Sequence, residues 1–149
     1  MNLDITLSPS PNFDKRREGA GPDYIIFHFT GTANAEEASN VYLDGKRDED
    51  VGRVSPHYMI DEGGRITRFV DEKDRAWHAG LSYWQGLTDM NSHSIGIELV
   101  NEGYNNDFPP FPIAQIESLK VLSKDIMRRH CIPSCHILGH SDIAPGRKD

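Results

Sequence analysis

Apolar runs separated by polar segments divide the 149-residue chain into a succession of strands and helices. Residues 24–29 form a continuous β-branched and aromatic run, which is typical of a central strand buried on both faces. A helix is predicted over 35–43, because Asn34 and Glu37 have the spacing of a capping box. Gly45 is the predicted end of that helix.

Four further strands follow from the same patterns. Short apolar segments at 57–60 and 65–70 flank an acidic Gly-Gly pair and predict a β-hairpin. Apolar residues alternate over 94–100, and 136–139 is a last short apolar run. Alternation places Glu98 on the face opposite Ile95, Ile97 and Leu99. A carboxylate within an apolar strand is costly to bury unless it is paired, so Glu98 is a candidate functional residue.

A long amphipathic helix is predicted from Pro112, and Pro133 stops it. One apolar stripe along it predicts a buried face made of Ile113, Ile116, Leu119, Leu122, Ile126 and Met127. The order of elements predicts a single α/β (α+β) domain, with a central mixed β-sheet flanked by helices. Prolines before residue 23 argue against a helix there, so we expect residues 1–22 to form an N-terminal strap and 23–149 the main domain.

Composition excludes several classes of function. The net charge of −7 and the lack of a basic cluster argue against a nucleic-acid partner. No apolar run approaches the roughly 20 residues that span a bilayer. The first seven residues lack the pattern of a signal peptide, so as written we expect a cytoplasmic protein. We also expect a monomer. If an export signal was removed, the periplasm or cell envelope is the alternative.

The two cysteines and the irregular segment 71–92 are open to more than one interpretation. Cys131 and Cys135 are too few for a disulfide framework and lack the spacing of a zinc knuckle, so burial statistics favour a buried structural role. The aromatic residues of 71–92, among them Trp77 and Trp84, suit either a small side core or the wall of a sugar-binding groove.

The end of the chain carries candidate chemistry. His140 follows the last strand, a Pro-Gly turn comes next, and Lys148 and Asp149 lie close behind. Imidazole, ammonium and carboxylate together suit a hydrolytic metal site, although a polar surface turn has the same composition. His28, Glu98 and His140 each lie in or at the end of a predicted strand, so one sheet could bring them together.

Five ordered motifs resemble the zinc-dependent N-acetylmuramoyl-L-alanine amidases, which share a fold with peptidoglycan-recognition proteins and phage amidase lysozymes. The motifs are residues 27–30, 55–60, 75–80, 91–99 and 139–148. The segment 10–14 and the helix containing Gln115 resemble the bacterial branch of that family. Each motif alone is weak, but their order makes the resemblance specific.

The resemblance implies hydrolysis of the amide bond between N-acetylmuramic acid and L-alanine in peptidoglycan or muropeptides, with Zn²⁺ as cofactor. It implies that His28 and His140 are zinc ligands. It further implies that Glu98 is the general base and that Lys148 stabilises the developing oxyanion. Trp77, His78 and Asn91 match positions near the substrate groove, where they would contact or support the substrate.

One departure concerns the third zinc ligand, which in the family follows the position of Lys148 by two residues. The chain has only Asp149 after Lys148. We therefore expect either a domain truncated at its C-terminus or a shifted role for Asp149. If the ligand is absent, the alternative is a non-catalytic peptidoglycan-binding module. A metal-free hydrolase is disfavoured, since Ser94 and Ser141 lack the context of a nucleophile elbow.

Overall fold

Eight short strands and four helices make up the fold in the computed structural model, which describes residues 3–47 and 52–146. The strands are β1 (Ile5–Leu7), β2 (Phe13–Lys15), β3 (Tyr24–Phe29), β4 (Tyr58–Ile60), β5 (Ile66–Arg68), β6 (Asp74–Ala76), β7 (Ser94–Leu99) and β8 (Ile137–Gly139). The helices are α1 (Ala35–Leu43), α2 (Met90–His93), α3 (Ile113–His130) and α4 (His140–Ile143).

Within the described residues, six strands form one mixed sheet in the order β1-β5-β4-β7-β3-β8. Strands β3, β7 and β8 run parallel, and β4 pairs parallel to β7 but antiparallel to β5, which confirms the predicted hairpin. Strands β2 and β6 form a separate antiparallel pair. The predicted single domain with a mixed central sheet and flanking helices is therefore confirmed.

One face of the sheet packs against α3. Ile25, Ile95 and Ile97 are fully buried there against Leu122 and Ile126 of the helix. The other face carries His28 and Glu98, because these residues alternate with the apolar ones along β3 and β7. The α3-facing side is therefore the main core, and the opposite side is available for the functional site.

The predicted capping of α1 is confirmed in its main contact. The Asn34 side chain accepts a hydrogen bond from the Glu37 backbone N–H, and the Glu37 carboxylate accepts one from the Ala33 N–H. The helix ends at Leu43 as predicted, with Asp44 as its C-cap, and Gly45 follows that cap directly. An extended backbone at Asp44 already stops the helix.

The N-terminal segment is non-helical, as the prolines predict. Side-chain hydrogen bonds from this segment to the backbone of the domain hold it in place. Arg16 donates hydrogen bonds to the backbone oxygens of Glu72, Asn91, Ser92 and Ser94. The buried Asn12 amide donates to the backbone oxygens of Tyr42, Asp44 and Val54. These contacts fix the segment across several elements, while the division into 1–22 and 23–149 stays a prediction.

Two predictions of burial are wrong. Cys131 and Cys135 are exposed free thiols, because α3 ends at His130 and Cys131 turns outward in a left-handed conformation (φ 56°). Ile113 is 82% exposed although it lies on the predicted stripe. The stripe fixes which residues share a face, but the first turn of α3 is not covered by the core. Leu119, Leu122 and Ile126 are buried as predicted.

None of the helices in the described part of the chain is long and apolar enough to cross a membrane.

Candidate metal centre

Three neighbouring strands carry the candidate ligands and base. His28 of β3 stands in register with Glu98 of β7, so the two side chains leave the same face of the sheet. Phe27 pairs with Gly139 of β8, and His140 follows at the start of α4. The structure thus places His28, Glu98 and His140 side by side at the carboxyl ends of parallel strands, a usual position for a site in α/β proteins.

The rings of His28 and His140 face each other through their Nδ1 atoms, which are 2.9 Å apart. The Nε2 atom of His140 lies 3.0 Å from the backbone oxygen of Ala79. A carbonyl oxygen can only accept, so Nε2 of His140 carries the hydrogen. In the neutral ring, its Nδ1 atom then presents a lone pair to His28.

A chain of hydrogen bonds fixes the tautomer of His28 in the same way. The Ser94 hydroxyl donates to the Met90 backbone oxygen at 2.5 Å, so it must accept from Nε2 of His78 at 3.2 Å. Nδ1 of His78 therefore accepts from Nε2 of His28, at 2.9 Å. The other ring nitrogen of His28, Nδ1, faces His140.

Two imidazole nitrogens that face each other at 2.9 Å can both bind one cation placed between them. Neutral imidazole nitrogens with the other ring nitrogen held by a hydrogen bond are the usual zinc ligands. Zinc binds such nitrogens at about 2.0–2.1 Å, so one ion can reach both atoms. Within the described residues, no three His, Cys, Asp or Glu side chains converge as a complete ligand set. The predicted residues Lys148 and Asp149 lie outside the described residues, and their roles stay predictions.

His78 supports the site from within the protein. Its ring is 7% exposed and packs directly on Gly96, where an added Cβ would lie 2.6 Å from Nδ1 of His78. Burial, followed by the nearby histidines, lowers the pKa of His78 well below its ordinary value. His78 therefore stays neutral and can accept the hydrogen bond from His28.

Asn91 holds the segment that carries His78. Its Oδ1 atom accepts hydrogen bonds from the backbone N–H groups of His78 at 3.0 Å and Ala79 at 2.7 Å. Since Ala79 in turn accepts from His140, Asn91 positions both histidine partners at once. Asn91 also lines the groove, so a contact with substrate stays a prediction.

A groove with a cavity volume of about 1300 Å³ opens over His28, Glu98 and His140. Trp77 lines it, and the Arg53 guanidinium lies 5.1 Å from the centre of the Trp77 ring. Phe29, Tyr104 and Phe108 form a second aromatic wall with edge-to-face ring contacts. Trp84 instead packs in a small core with Ala79 and Met90, so the side-core interpretation is confirmed for Trp84, while a sugar-binding role for Trp77 stays a prediction.

Sequence reasoning missed several residues of the site. Tyr42 and Arg53 line the groove, and Ser94 sets the direction of the hydrogen bonds to His28. No local signal marks them, because each lies at the site beside residues that are distant from it in sequence.

A mixed sheet bearing two imidazoles and a carboxylate under an open groove defines a metal-hydrolase type of site, and comparison with known proteins gives the family. The model of the N-acetylmuramoyl-L-alanine amidase family matches residues 18–149. The chain belongs to this family.

Two curated relatives have the same identity to the chain. The amidase AmiD of Escherichia coli is 39% identical over 84% of the chain and 47% of that protein. The 1,6-anhydro-N-acetylmuramyl-L-alanine amidase AmpD of Haemophilus influenzae is 39% identical over 93% of the chain and 80% of that protein. The chain thus spans about half the length of AmiD and four-fifths of this AmpD.

Solved structures show the same fold. A selenomethionine derivative of AmpD superposes with a TM-score of 0.85 at 29% identity, covering 99% of the chain and 90% of that structure. AmiD of E. coli in complex with anhydro-N-acetylmuramic acid-L-Ala-D-gamma-Glu-L-Lys superposes with a TM-score of 0.74 at 34% identity. That match covers 91% of the chain and 55% of AmiD.

Proposed function

We propose that the protein hydrolyses the amide bond between N-acetylmuramic acid and L-alanine, with zinc held by His28 and His140. The observation that carries this proposal is the pair of facing Nδ1 atoms of His28 and His140, 2.9 Å apart, with His28 in register with Glu98. A binding module needs neither a metal-ligating pair nor a carboxylate beside it. Membership of the amidase family supports the same activity.

Each residue has a defined part in the reaction. When bound, zinc supplies a Lewis acid that lowers the pKa of water towards roughly 7 and polarises the scissile carbonyl. Glu98 takes the proton of the attacking water and delivers it to the leaving amine of alanine. His78 keeps His28 in the tautomer that binds metal. Lys148, by its match to the family motif, stabilises the negative oxygen that develops on the carbonyl carbon.

The substrate we propose is a small muropeptide that carries a 1,6-anhydro sugar. The AmpD relative is named for this activity, and the AmiD structure holds an anhydro-muramyl tripeptide. In the groove, Trp77 and the aromatic wall of Phe29, Tyr104 and Phe108 offer faces for sugar and peptide. Arg53 places positive charge where an acidic peptide carries its carboxylates.

The test is cleavage of anhydro-muramyl tripeptide by wild-type protein and by Glu98→Gln, with release of free tripeptide followed by mass spectrometry. We expect Glu98→Gln to keep zinc and fold but to lose roughly 10²–10⁴-fold in kcat, the usual contribution of a general base. Glu62→Gln, on the exposed turn of the hairpin, is the matched control and should stay fully active.

Three outcomes would change the proposal. Full activity of Glu98→Gln would remove Glu98 from the role of base. Binding of the tripeptide by the wild-type protein without cleavage would support the non-catalytic module instead. Faster cleavage of intact peptidoglycan sacculi than of the muropeptide would reassign the substrate to the wall.

A further inference from the structure

Trp77 lines the groove directly after β6, and its backbone is fixed by Ser55. The Ser55 hydroxyl accepts a hydrogen bond from the Trp77 backbone N–H at 3.2 Å, and the Ser55 N–H donates to the Trp77 backbone oxygen at 3.0 Å. Neither bond restricts rotation of the Trp77 side chain. The side chain is half-buried, so the orientation of the indole ring depends on the contacts that the ring itself makes.

A carboxylate of the N-terminal segment binds the polar edge of that ring. The indole Nε1–H of Trp77 donates a hydrogen bond to Oδ1 of Asp14 at 3.0 Å. Asp14 lies in β2, which pairs antiparallel with β6, so the N-terminal segment runs beside the strand that leads into Trp77. The guanidinium of Arg53 lies 5.1 Å from the centre of the ring. The indole therefore has an anion at its edge and a cation over its face.

The Asp14 carboxylate is itself held in place by Arg75. Nη1 of Arg75 donates to both carboxylate oxygens of Asp14, at 3.1 Å and 3.3 Å. Nη2 of Arg75 binds the buried carboxylate of Asp89 at 2.9 Å. Asp89 also forms an ion pair with Arg17 of the N-terminal segment at 2.9 Å. These four charged side chains form one network, which fixes the acceptor of the indole hydrogen bond.

We propose that Asp14 is a positioning residue, which orients the indole ring of Trp77 so that the ring presents one face to the substrate in the groove. A tryptophan ring can otherwise rotate about its side-chain bonds, and its contact with a ligand depends on the face that it presents. A ring that is ordered before binding loses less conformational freedom when the substrate binds, so the affinity increases. The inference rests on the function proposed above.

The next residue of the same strand provides a matched control. Lys15 follows Asp14 in β2 and forms an ion pair with Asp74 of β6 at 2.5 Å. Successive side chains of a strand leave its opposite sides, so Lys15 and Asp14 point in different directions. Lys15→Ala and Asp14→Ala therefore each remove a charged contact between β2 and the segment around β6, but Asp14→Ala also removes the acceptor of the indole.

The first arm of the experiment measures kcat and KM on anhydro-muramyl tripeptide. Asp14→Ala is made in the wild-type protein and in Trp77→Phe, because phenylalanine keeps an aromatic face but has no N–H to donate. We expect Asp14→Ala to raise KM roughly fivefold in the wild-type background, which corresponds to about 1 kcal/mol, with kcat within about twofold. In the Trp77→Phe background, Asp14→Ala should leave KM unchanged, because the hydrogen bond is already absent.

Three kinetic results would overturn the inference. An unchanged KM in Asp14→Ala would show that the contact does not affect binding. An equal rise in KM in both backgrounds would show that Asp14 acts through something other than the indole N–H. An equal rise in Lys15→Ala, which should keep the wild-type kcat and KM, would show that any loss of charge from β2 has the same effect.

The second arm needs no substrate. The chain has two tryptophans, so its ¹⁵N–¹H spectrum contains two indole N–H signals, and Trp77→Phe identifies the signal of Trp77. We expect Asp14→Ala to shift this indole proton upfield, because a hydrogen bond to a carboxylate deshields the proton. The signal of Trp84 should keep its position, which also shows that the fold is retained, and Lys15→Ala should shift neither signal.

This spectrum separates failure of the inference from failure of the proposed function. An unshifted Trp77 signal in Asp14→Ala would overturn the inference, whatever the activity of the protein. If the wild-type protein cleaves nothing but the Trp77 signal depends on Asp14, the proposed function and the substrate part of the inference fail. The hydrogen bond between Asp14 and Trp77 is confirmed in that case.

Discussion

The Nδ1 atoms of His28 and His140 face each other at 2.9 Å, and each ring donates a hydrogen bond through its other nitrogen. The donors are fixed by acceptors that cannot donate, the backbone oxygens of Ala79 and Met90. These hydrogen bonds would hold both rings in the tautomer that a zinc ligand needs. Most of them involve residues outside the proposed ligand pair.

His78 is the residue on which the tautomer of His28 depends most. In His78→Gln, we expect zinc to bind roughly 10–100-fold more weakly, the usual cost of losing a partner that orients a ligand. Ser94→Ala removes only the far end of the chain of hydrogen bonds, so its effect should be smaller and in the same direction. Competition with a chelating dye measures both affinities. Unchanged affinity in both variants would show that His78 does not orient His28.

Gly96 is required because the His78 ring lies on it. An added methyl group would come within 2.6 Å of Nδ1 of His78, so Gly96→Ala must displace the ring. We expect a loss of about 1–3 kcal/mol in the free energy of unfolding, together with weaker zinc binding. Gly21→Ala is the control, since its Cβ would meet open space, and it should stay within about 0.5 kcal/mol of wild type. Urea denaturation compares the two variants, and similar effects would contradict this account of Gly96.

The lowered pKa of Glu72 predicts how the free energy of unfolding changes at acid pH. Burial alone would raise its pKa, but hydrogen bonds from Arg129, His130 and Tyr58 outweigh burial and lower the pKa to about 2 from 4.5. A carboxyl group with a lowered pKa in the folded state stabilises the protein above pH 4.5, and this stabilisation is lost as the pH falls towards 2. Glu72 contributes at most about 3 kcal/mol to the free energy of unfolding in this way.

The measurement is the free energy of unfolding in urea at several pH values between 5 and 2. Glu72→Gln should be less stable than wild type at pH 5 and should lose less stability on acidification. The exposed Glu117 provides the control, and Glu117→Gln should follow the wild-type curve. If the curves for Glu72→Gln and wild type run parallel, the ion pairs of Glu72 do not cause the loss of stability between pH 5 and 2.

The fold could be predicted where the sequence pattern is long and regular. The run 24–29, the capped helix at Asn34 and the long helix after Pro112 all have strong periodic or capping signals, and the structure confirms them. Strands β1, β2 and β6 were not predicted, and β2 and β6 contain charged residues, so they lack the apolar runs that marked the equally short β4, β5 and β8. Burial of Ile113 was predicted wrongly because periodicity defines a face but not the extent of the sheet beneath it.

The site could be predicted only in its residue types. Histidines and a carboxylate on predicted strands suggested His28, Glu98 and His140, and the family resemblance gave their roles. Their close approach depends on strand order and register, which local patterns do not contain. The hydrogen bond between His28 and His78 joins residues 50 positions apart.

The most direct test of the account is the zinc affinity of wild type, His28→Ala and His140→Ala, measured by elemental analysis and chelator competition. His136→Ala is the control, because its half-buried ring stacks on Tyr24 away from the facing pair. We expect wild type and His136→Ala to bind about one zinc per chain, and each ligand variant to lose far more affinity than the roughly 10–100-fold cost of a supporting residue. Equal zinc content in wild type and both ligand variants would contradict the proposed metal centre.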